Sequence, residues 1–270
     1  MAKLYDYNGN PIDVGGTGGG GTTTPVPTSF VKGVNHRGYY TAPENTLPAY
    51  RLSKVMGFKM VECDVSFTSD GVPVLLHDAT IDRTSNGSGN IGEMTFEQVR
   101  QYDFGSWKNE SYAGTKIPTL EEFVVLCRNL GLHAYIEIKS NEPYTDEQIQ
   151  MIVDIVNSYG MRGNVTYISF LKNHLVRVKN NDERARLGYV ISTMGTTKAN
   201  EAVSLRTAYN DVFVDVEYKA STIENTIAIA KEYKLPLELW TIDSAPTILA
   251  LEGYVSGVTS NKVDATTLYY

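Results

Sequence analysis

From Phe30 onward, short runs rich in β-branched and aromatic residues alternate with segments whose apolar positions fall at helical spacing. The strand-like runs are Val31–Asn35, Lys59–Phe67, His133–Lys139, Asn164–Phe170, Leu187–Ser192, Val212–Glu217, Leu237–Ile242 and Val255–Thr259. Helical spacing is clearest in "ENTLPAYRLSKVMG", "TDEQIQMIVDIVNSYG" and "TIENTIAIAKEYK". In the first of these, Asn45 ahead of Thr46 and Gly57 after Met56 serve as start and stop signals. Alternation on this scale implies parallel strands, and about eight strands suggest an α/β fold of the (β/α)8 TIM-barrel type. The structural rival is an open doubly wound sheet. Such a sheet usually advertises a glycine-rich dinucleotide turn after its first strand, where this chain has "NHRGYYTAPENT".

Two stretches break the rhythm. Residues 72–118 hold a returning hairpin arm, "HDATIDRTSNGSGNIGEMT", a short helical piece and "DFGSWKNESYAGTKIP". They read as a small insertion after the second barrel strand, lying over the strand ends where barrel active sites sit. Thr84–Gly89 looks superficially like a phosphate loop, but no helix follows it closely and it reads as a turn. Residues 1–29 differ from everything after them. "LYDYNGNPIDVGG" suggests a small turn or hairpin, and "GGTGGGGTTTPVPTS" a flexible linker. The chain thus divides into an N-terminal head with a Gly-rich linker, 1–29, and a barrel domain, 30–270. The head reads as an attachment peptide for a larger assembly.

The most informative stretch is "KMVECDVSFTSDGVPVLLHD", residues 59–78. Glu62 and Asp64 are two apart on a strand, so they share a face, and Cys63 between them faces the other way into packing. Asp70-Gly71 between alternating apolar residues is a hairpin signal. A two-residue loop would pair Ser69 with Val72 and set His77 directly across from Asp64. Two carboxylates and an imidazole then converge, as a metal site, an acid–base site or both. Paired acids on an exposed edge are commonly just solvated, but inside a barrel near a strand end they need a cation or basic neighbours. Oxygen ligands favour magnesium or calcium over zinc.

Other strand ends add candidates. His36 and Arg37 close the first strand, although a lone His-Arg-Gly is weak evidence and Gly38 serves equally as a positive-φ residue. "AYIEIKS" puts Glu137 and Lys139 on one face, as a plain ion pair or as a metal ligand beside a phosphate-binding cation. "FVDVEY" offers Asp215 and Glu217, with no basic partner following, and ranks lower. Trp240 is a packing residue by default, or an aromatic wall against a substrate.

Composition narrows the partners. Of 270 residues, 42% are hydrophobic and 20% charged, enough for a full core. The 24 basic and 31 acidic side chains give a formal charge of −7, so a basic nucleic-acid-binding face is not expected. Cys63 and Cys127, the only cysteines, lack zinc-ligand spacing. No segment has the apolar length of a membrane helix, and the N-terminus lacks a secretory pattern, which leaves cytoplasmic and surface-appendage placement both open.

In family order, "NHRGYYTAPENT", "GFKMVECDVSFTSDGVPVLLHDATIDRTSNGSG", "IPTLEEF", "AYIEIK" and "LWTID" resemble the glycerophosphodiester phosphodiesterase family. The resemblance runs from about Val31 to the C-terminus, loosest between Leu171 and Gly257, and excludes residues 1–29. It implies a distorted eight-stranded barrel and metal-dependent hydrolysis of glycerophosphodiesters to glycerol 3-phosphate and an alcohol. It also implies His36 and His77 as the acid–base pair, and Arg37 and Lys139 as phosphate contacts. Glu62, Asp64 and Glu137 would hold Mg2+ or Ca2+, and Trp240 would face the glycerol group. The rivals are a phospholipase-type phosphodiesterase, and a teichoic-acid-binding or -degrading module of a phage or surface appendage. A glycosidase is disfavoured, because Glu62 and Asp64 are too close along one strand to flank a sugar bond.

Overall fold

The computed structural model describes residues 4–5, 11–12, 31–139 and 144–265. In the head, Leu4–Tyr5 (β1) pairs antiparallel with Pro11–Ile12 (β2). The rest of the head and the Gly-rich linker, with the attachment role expected of them, lie outside the described residues.

The barrel is built from β3 (Lys32–Asn35), β4 (Met60–Phe67), β6 (His133–Ile138), β7 (Val165–Ser169), β8 (Arg186–Ile191), β9 (Val212–Glu217), β10 (Leu237–Trp240) and β11 (Gly257–Ser260). These strands pair in parallel in that order, and β3 pairs with both β4 and β11, so the sheet closes on itself. That is the expected (β/α)8 barrel. Its strands lie within a residue or two of the expected runs, β10 ending at Trp240 and β11 starting at Gly257. Pro73–Leu75 (β5) runs back antiparallel along β4.

Helices α1 (Leu47–Val55), α3 (Leu120–Leu130), α4 (Asp146–Ser158), α5 (Lys172–Asn181), α6 (Thr196–Ala208), α7 (Ile223–Glu232) and α8 (Ala245–Ala250) cross between successive barrel strands. A short α2 (Phe96–Val99) lies in the segment between β5 and α3. Capping residues set several boundaries. Thr119 and Glu122 form a reciprocal capping box at the start of α3, and Gly131, at φ +62°, stops it. Thr145 and Gln148 do the same for α4. At α1 the cap position falls on Thr46, with Pro48 in the first turn, and not on Asn45. Asn45 has φ +54° and its side chain is spent elsewhere, on Asp64.

Three groups of buried side chains follow from this layout. The largest fills the layer between strands and helices, with Tyr50, Phe123 and Tyr189 among its members. Inside the barrel, Val34, Tyr135, Ile168, Val190 and Phe213 form a plug. Gly188 makes room for it, because a Cβ there would come within 2.5 Å of Phe213. The segment between β5 and α3 has a small core of its own, with Val74, Leu76, Ile81, Ile91, Val99, Phe104 and Ile117. Cys63 and Cys127 are buried and free. Among the described residues, no helix is long and apolar enough to cross a membrane.

The β4–β5 hairpin corrects one expectation. Phe67 pairs with Pro73, Ser66 with Val74 and Val65 with Leu75, and the Leu76 amide donates to the Asp64 carbonyl at 3.0 Å. Asp64 therefore stands across from Leu76, not His77. The loop has three residues, Ser69, Asp70 and Gly71, and is closed by the Thr68 amide donating to the Val72 carbonyl at 3.1 Å. The Thr68 hydroxyl accepts from the Val72 amide at 3.0 Å and donates to Asp70 at 2.6 Å, and Gly71 takes φ +80°. This longer turn, specified by Thr68 as much as by Asp-Gly, moves the register by one residue.

Candidate active site

Along β4 the inward-facing positions at the C-terminal end are Glu62 and Asp64, and along β6 and just beyond it they are Glu137 and Lys139. The parallel register sets Asp64 directly beside Glu137. Among the described residues, Glu62, Asp64 and Glu137 form one buried group whose carboxylate oxygens come within 4.8 Å of one another. The turn after β3 adds His36 and Arg37. Arg37 has φ +56° and Gly38 φ +85°, and any Cβ on Gly38 would lie 2.6 Å from that of Ala49. This tight turn points the Arg37 amide at Glu62, to which it donates at 3.0 Å.

The three carboxylates are not equivalent. Asp64 is wholly buried and receives Asn45 Nδ2 at 2.8 Å. Arg37 Nε and Lys139 Nζ each stand 3.2 Å from its oxygens. Burial alone would raise its carboxyl, but those two cations overcome it and hold Asp64 well below the usual carboxylate range. Glu62 goes the other way, pushed well up by burial and then by Asp64 and Glu137. Burial and Asp64 push Glu137 up to about 7, although Lys139 Nζ lies 3.0 Å from its Oε1.

The two histidines reach the same cavity by different routes. His36 Nδ1 is 2.6 Å from Asn261 Oδ1, while the Asn261 amide NH2 donates to Asp243 at 3.0 Å. A carboxylate only accepts, so the Asn261 amide must turn its oxygen toward His36, and Nδ1 must carry the proton. His36 Nε2 is thereby the bare nitrogen on the cavity side, 3.8 Å from Glu62. Burial, then Arg37, lowers His36 to about 4, which keeps it neutral. His77 lies past the end of β5, so the shifted hairpin register does not turn it away. Its Nδ1 is 2.6 Å from Asp78. Asp78 receives Arg83 Nε at 2.7 Å, Arg83 also donates twice to Glu44, and Arg37 donates to Glu44 at 3.0 Å. One chain of ion pairs thus ties both histidine-bearing segments together.

His36, Arg37, Glu62, His77, Glu137, Lys139 and Trp240 all line a cavity of about 100 Å³ at the C-terminal mouth, with Asp64 directly behind. The remaining wall is Ile168, Phe170, Val190, Asp215 and Thr259. Trp240 packs edge-on against Phe170 and donates from Nε1 to the Asp215 carbonyl at 3.2 Å. Every expected site residue therefore meets in one place. Glu217 does not line it, and, against expectation, a basic partner does follow: Lys219 Nζ lies 3.0 Å from its carboxylate.

The sequence reading missed Glu44, Asn45, Asp78, Arg83, Asp243 and Asn261. Asp78 and Asn45 adjoin residues already under suspicion and could have been found. Asn261 could not, because it meets His36 across 225 residues of sequence.

The residues fit a divalent cation. Three hard oxygen donors converge, and Glu62 Oε1 is buried without a hydrogen-bond partner among the described residues. With all three carboxylates ionised, Arg37 and Lys139 would leave one negative charge for a cation to balance.

A family model described as the glycerophosphoryl diester phosphodiesterase family matches residues 36–265. The glycerophosphodiester phosphodiesterase of Bacillus subtilis (strain 168) is 31% identical over 254 residues, covering 86% of this chain and 83% of that protein. Glycerophosphodiester phosphodiesterase 1 of Homo sapiens is 35% identical over 161 residues, 58% of this chain and 47% of that protein. The chain thus spans about half the length of that relative. Among solved structures, a phosphodiesterase of Oleispira antarctica in complex with the product sn-glycerol-3-phosphate superposes with a TM-score of 0.70 at 24% identity, covering 86% of this chain and 93% of that one. A glycerophosphodiester phosphodiesterase from Thermotoga maritima gives 0.67 at 21%, covering 86% and 95%. At these identities the likeness is one of fold.

Proposed function

This chain belongs to the glycerophosphoryl diester phosphodiesterase family, and on that footing we propose that it hydrolyses glycerophosphodiesters to glycerol 3-phosphate and an alcohol. The observation that carries the reading is a pair of histidines on one cavity, each held at Nδ1 by an oxygen acceptor, an amide for His36 and a carboxylate for His77. His36, protonated at Nδ1 by its bond to Asn261, presents a lone pair at Nε2 and removes a proton from the attacking oxygen. His77 is the acid: in its doubly protonated form, with Asp78 accepting from Nδ1, the Nε2 proton goes to the departing alkoxide. Arg37 and Lys139 face the phosphoryl oxygens, where negative charge gathers as bonds exchange. Trp240 and Phe170, packed edge to face, form an apolar wall for the carbon skeleton.

Glu62, Asp64 and Glu137 would hold Mg2+ or Ca2+, the hard cations that oxygen-only donors favour. When bound, such an ion neutralises phosphoryl charge and fixes the diester beside the histidines. The chain's own part is to keep Asp64 ionised through Arg37 and Lys139, and to bring Glu62, whose Oε1 has no hydrogen-bond partner among the described residues, together with Glu137 beside it.

The test is release of glycerol 3-phosphate from glycerophosphocholine by chelator-stripped protein, then with Mg2+ or Ca2+ restored. Product is expected only after restoration. Full turnover in excess chelator, with depletion verified by elemental analysis, would remove the metal from the reading. Absence of product under every cation would remove the reading itself.

A further inference from the structure

The cavity has two unlike halves. Strands β3, β4 and β6, with His77, supply imidazoles, cations and carboxylates. Strands β7, β8 and β10 supply Ile168, Phe170, Val190 and Trp240. Into this second, apolar half β9 sends Asp215. Its inward direction follows from the alternation along β9, where Phe213, two residues earlier, belongs to the barrel plug.

Asp215 is 2% exposed, and its Oδ1 is buried with no hydrogen-bond partner among the described residues. The groups beside it are already committed or apolar. Its register neighbours are Val190 and Glu238, and Glu238 accepts from Tyr135 and Arg186. Trp240 donates to the Asp215 backbone carbonyl, not to its carboxyl. An apolar residue would pack this position without leaving a buried oxygen bare. The carboxyl is thus surplus to the fold, and it opens onto the cavity.

We propose that Asp215 is a specificity-determining residue, whose carboxyl hydrogen-bonds a hydroxyl of the glycerol half of the substrate seated against Trp240 and Phe170. The proposal rests on the phosphodiesterase reading, and gives that reading a means of choosing a polyol ester over a plain alkyl ester. A hydroxyl both donates and accepts, so it satisfies a buried carboxyl in either protonation state. Burial, then Glu238 and Glu137, push Asp215 well above the usual carboxylate range, which favours its neutral form and weakens repulsion of the phosphoryl oxygens. A site built to hydrogen-bond a hydroxyl rejects the analogue lacking it more strongly than an apolar pocket rejects an extra one.

The experiment is calorimetric binding of sn-glycerol 3-phosphate and of n-propyl phosphate, which lacks both hydroxyls, to wild type and to Asp215→Leu. Wild type is expected to prefer glycerol 3-phosphate, and Asp215→Leu to lose that preference by about 10- to 100-fold with propyl phosphate affinity unchanged. If Asp215→Leu does not fold, Asp215→Ser, too short to reach the ligand, is scored by the same ratio. An unchanged ratio, or equal weakening of both ligands, overturns the assignment. Binding is measured without turnover. A wild type that binds with this preference but releases no glycerol 3-phosphate from glycerophosphocholine would sink the phosphodiesterase reading and leave Asp215 as a polyol-phosphate contact.

Discussion

The two ends of the barrel both hold polar and charged side chains and treat them in different ways. At the N-terminal end, Arg186 donates to Glu238 at 2.8 Å and to the Tyr135 hydroxyl at 3.2 Å, and lies over the Phe213 ring. Tyr135 donates to Glu238 at 3.1 Å, and His133 Nε2 meets the Thr166 hydroxyl at 2.8 Å. Tyr135, Arg186 and Glu238 have no buried atom without a partner. At the C-terminal end Glu62 Oε1 and Asp215 Oδ1 are buried with no hydrogen-bond partner among the described residues, while Arg37 Nε and Glu137 Oε1 have only ion-pair neighbours, Asp64 at 3.2 Å and Lys139 at 3.0 Å. One strand carries both patterns: on β6, His133 and Tyr135 are hydrogen-bonded into the N-terminal network, while Glu137 two residues on has its ion pair with Lys139 and lines the cavity. Burial of charge alone therefore does not mark the site. What marks it is that such atoms gather around one cavity, whereas Asn157 Oδ1, Tyr167 Oη and His174 Nε2, also buried without a hydrogen-bond partner among the described residues, do not line it.

The comparison predicts that mutations at the two ends separate activity from stability. The largest effect is expected from His77→Ala. The imidazole is a third exposed and its partners face solvent, so little packing is lost. Turnover should fall about 10²- to 10⁴-fold with the melting temperature nearly unchanged. Near-wild-type turnover would remove His77 from acid–base work.

At the other end, Arg186→Ala strands Glu238 in the interior without its cation. A loss of about 3–5 kcal/mol of folding stability is expected, with kcat per folded molecule within about twofold of wild type. Denaturant unfolding beside an active-site-titrated rate measures both. Loss of kcat in a stably folded Arg186→Ala protein would show the two ends to be one functional unit.

How much of this was legible beforehand follows from the range of each interaction. The barrel could be read because period-two and helical spacing are local. Glu62, Asp64, Glu137 and Lys139 could be read because residues two apart on a strand share a face. His77 was placed correctly for a partly wrong reason. The hairpin register depends on Thr68 closing a three-residue loop, and the imidazole arrives only because the strand has already ended. Asn261 was illegible, because its contact with His36 exists only once the barrel closes between β11 and β3, and Asp243 acts only through Asn261. Asp215 was visible as a candidate, but its value lies in the missing partner, and a sequence does not show a vacancy.

A smaller effect should separate the ends again, in the direction of stability gained. Glu137, raised to about 7 by burial and Asp64, binds a proton more tightly folded than unfolded. Its contribution is therefore favourable below an ordinary glutamate's range and is lost as pH rises through 7. At pH 8 the ionised carboxylate works against the fold. Glu137→Gln should stabilise metal-free protein by about 1–2 kcal/mol there, discounted from the full shift for coupling to its neighbours, while abolishing stabilisation by added Mg2+ or Ca2+. Thermal melts with and without cation decide it. An unchanged cation response would take Glu137 out of the ligand set.

An effect of similar size belongs to the N-terminal end and has the opposite pH sign. Burial, then Arg186 and Lys32, lowers His133 to about 4, against about 6.5 for a free imidazole. The folded state then binds this proton less well than the unfolded state does, so stability rises with pH across that interval and is flat above it. Acidification from pH 6.5 to 4 should cost about 1–3 kcal/mol through this group, because a charged His133 would sit beside Arg186. His133→Gln retains a donor toward Thr166 without the titration, and should flatten that part of the stability–pH curve. His36, lowered to a similar value, titrates in the same window. The difference between wild type and His133→Gln isolates the N-terminal end, and a difference of zero would mean that its network absorbs a proton as readily as the unfolded chain does.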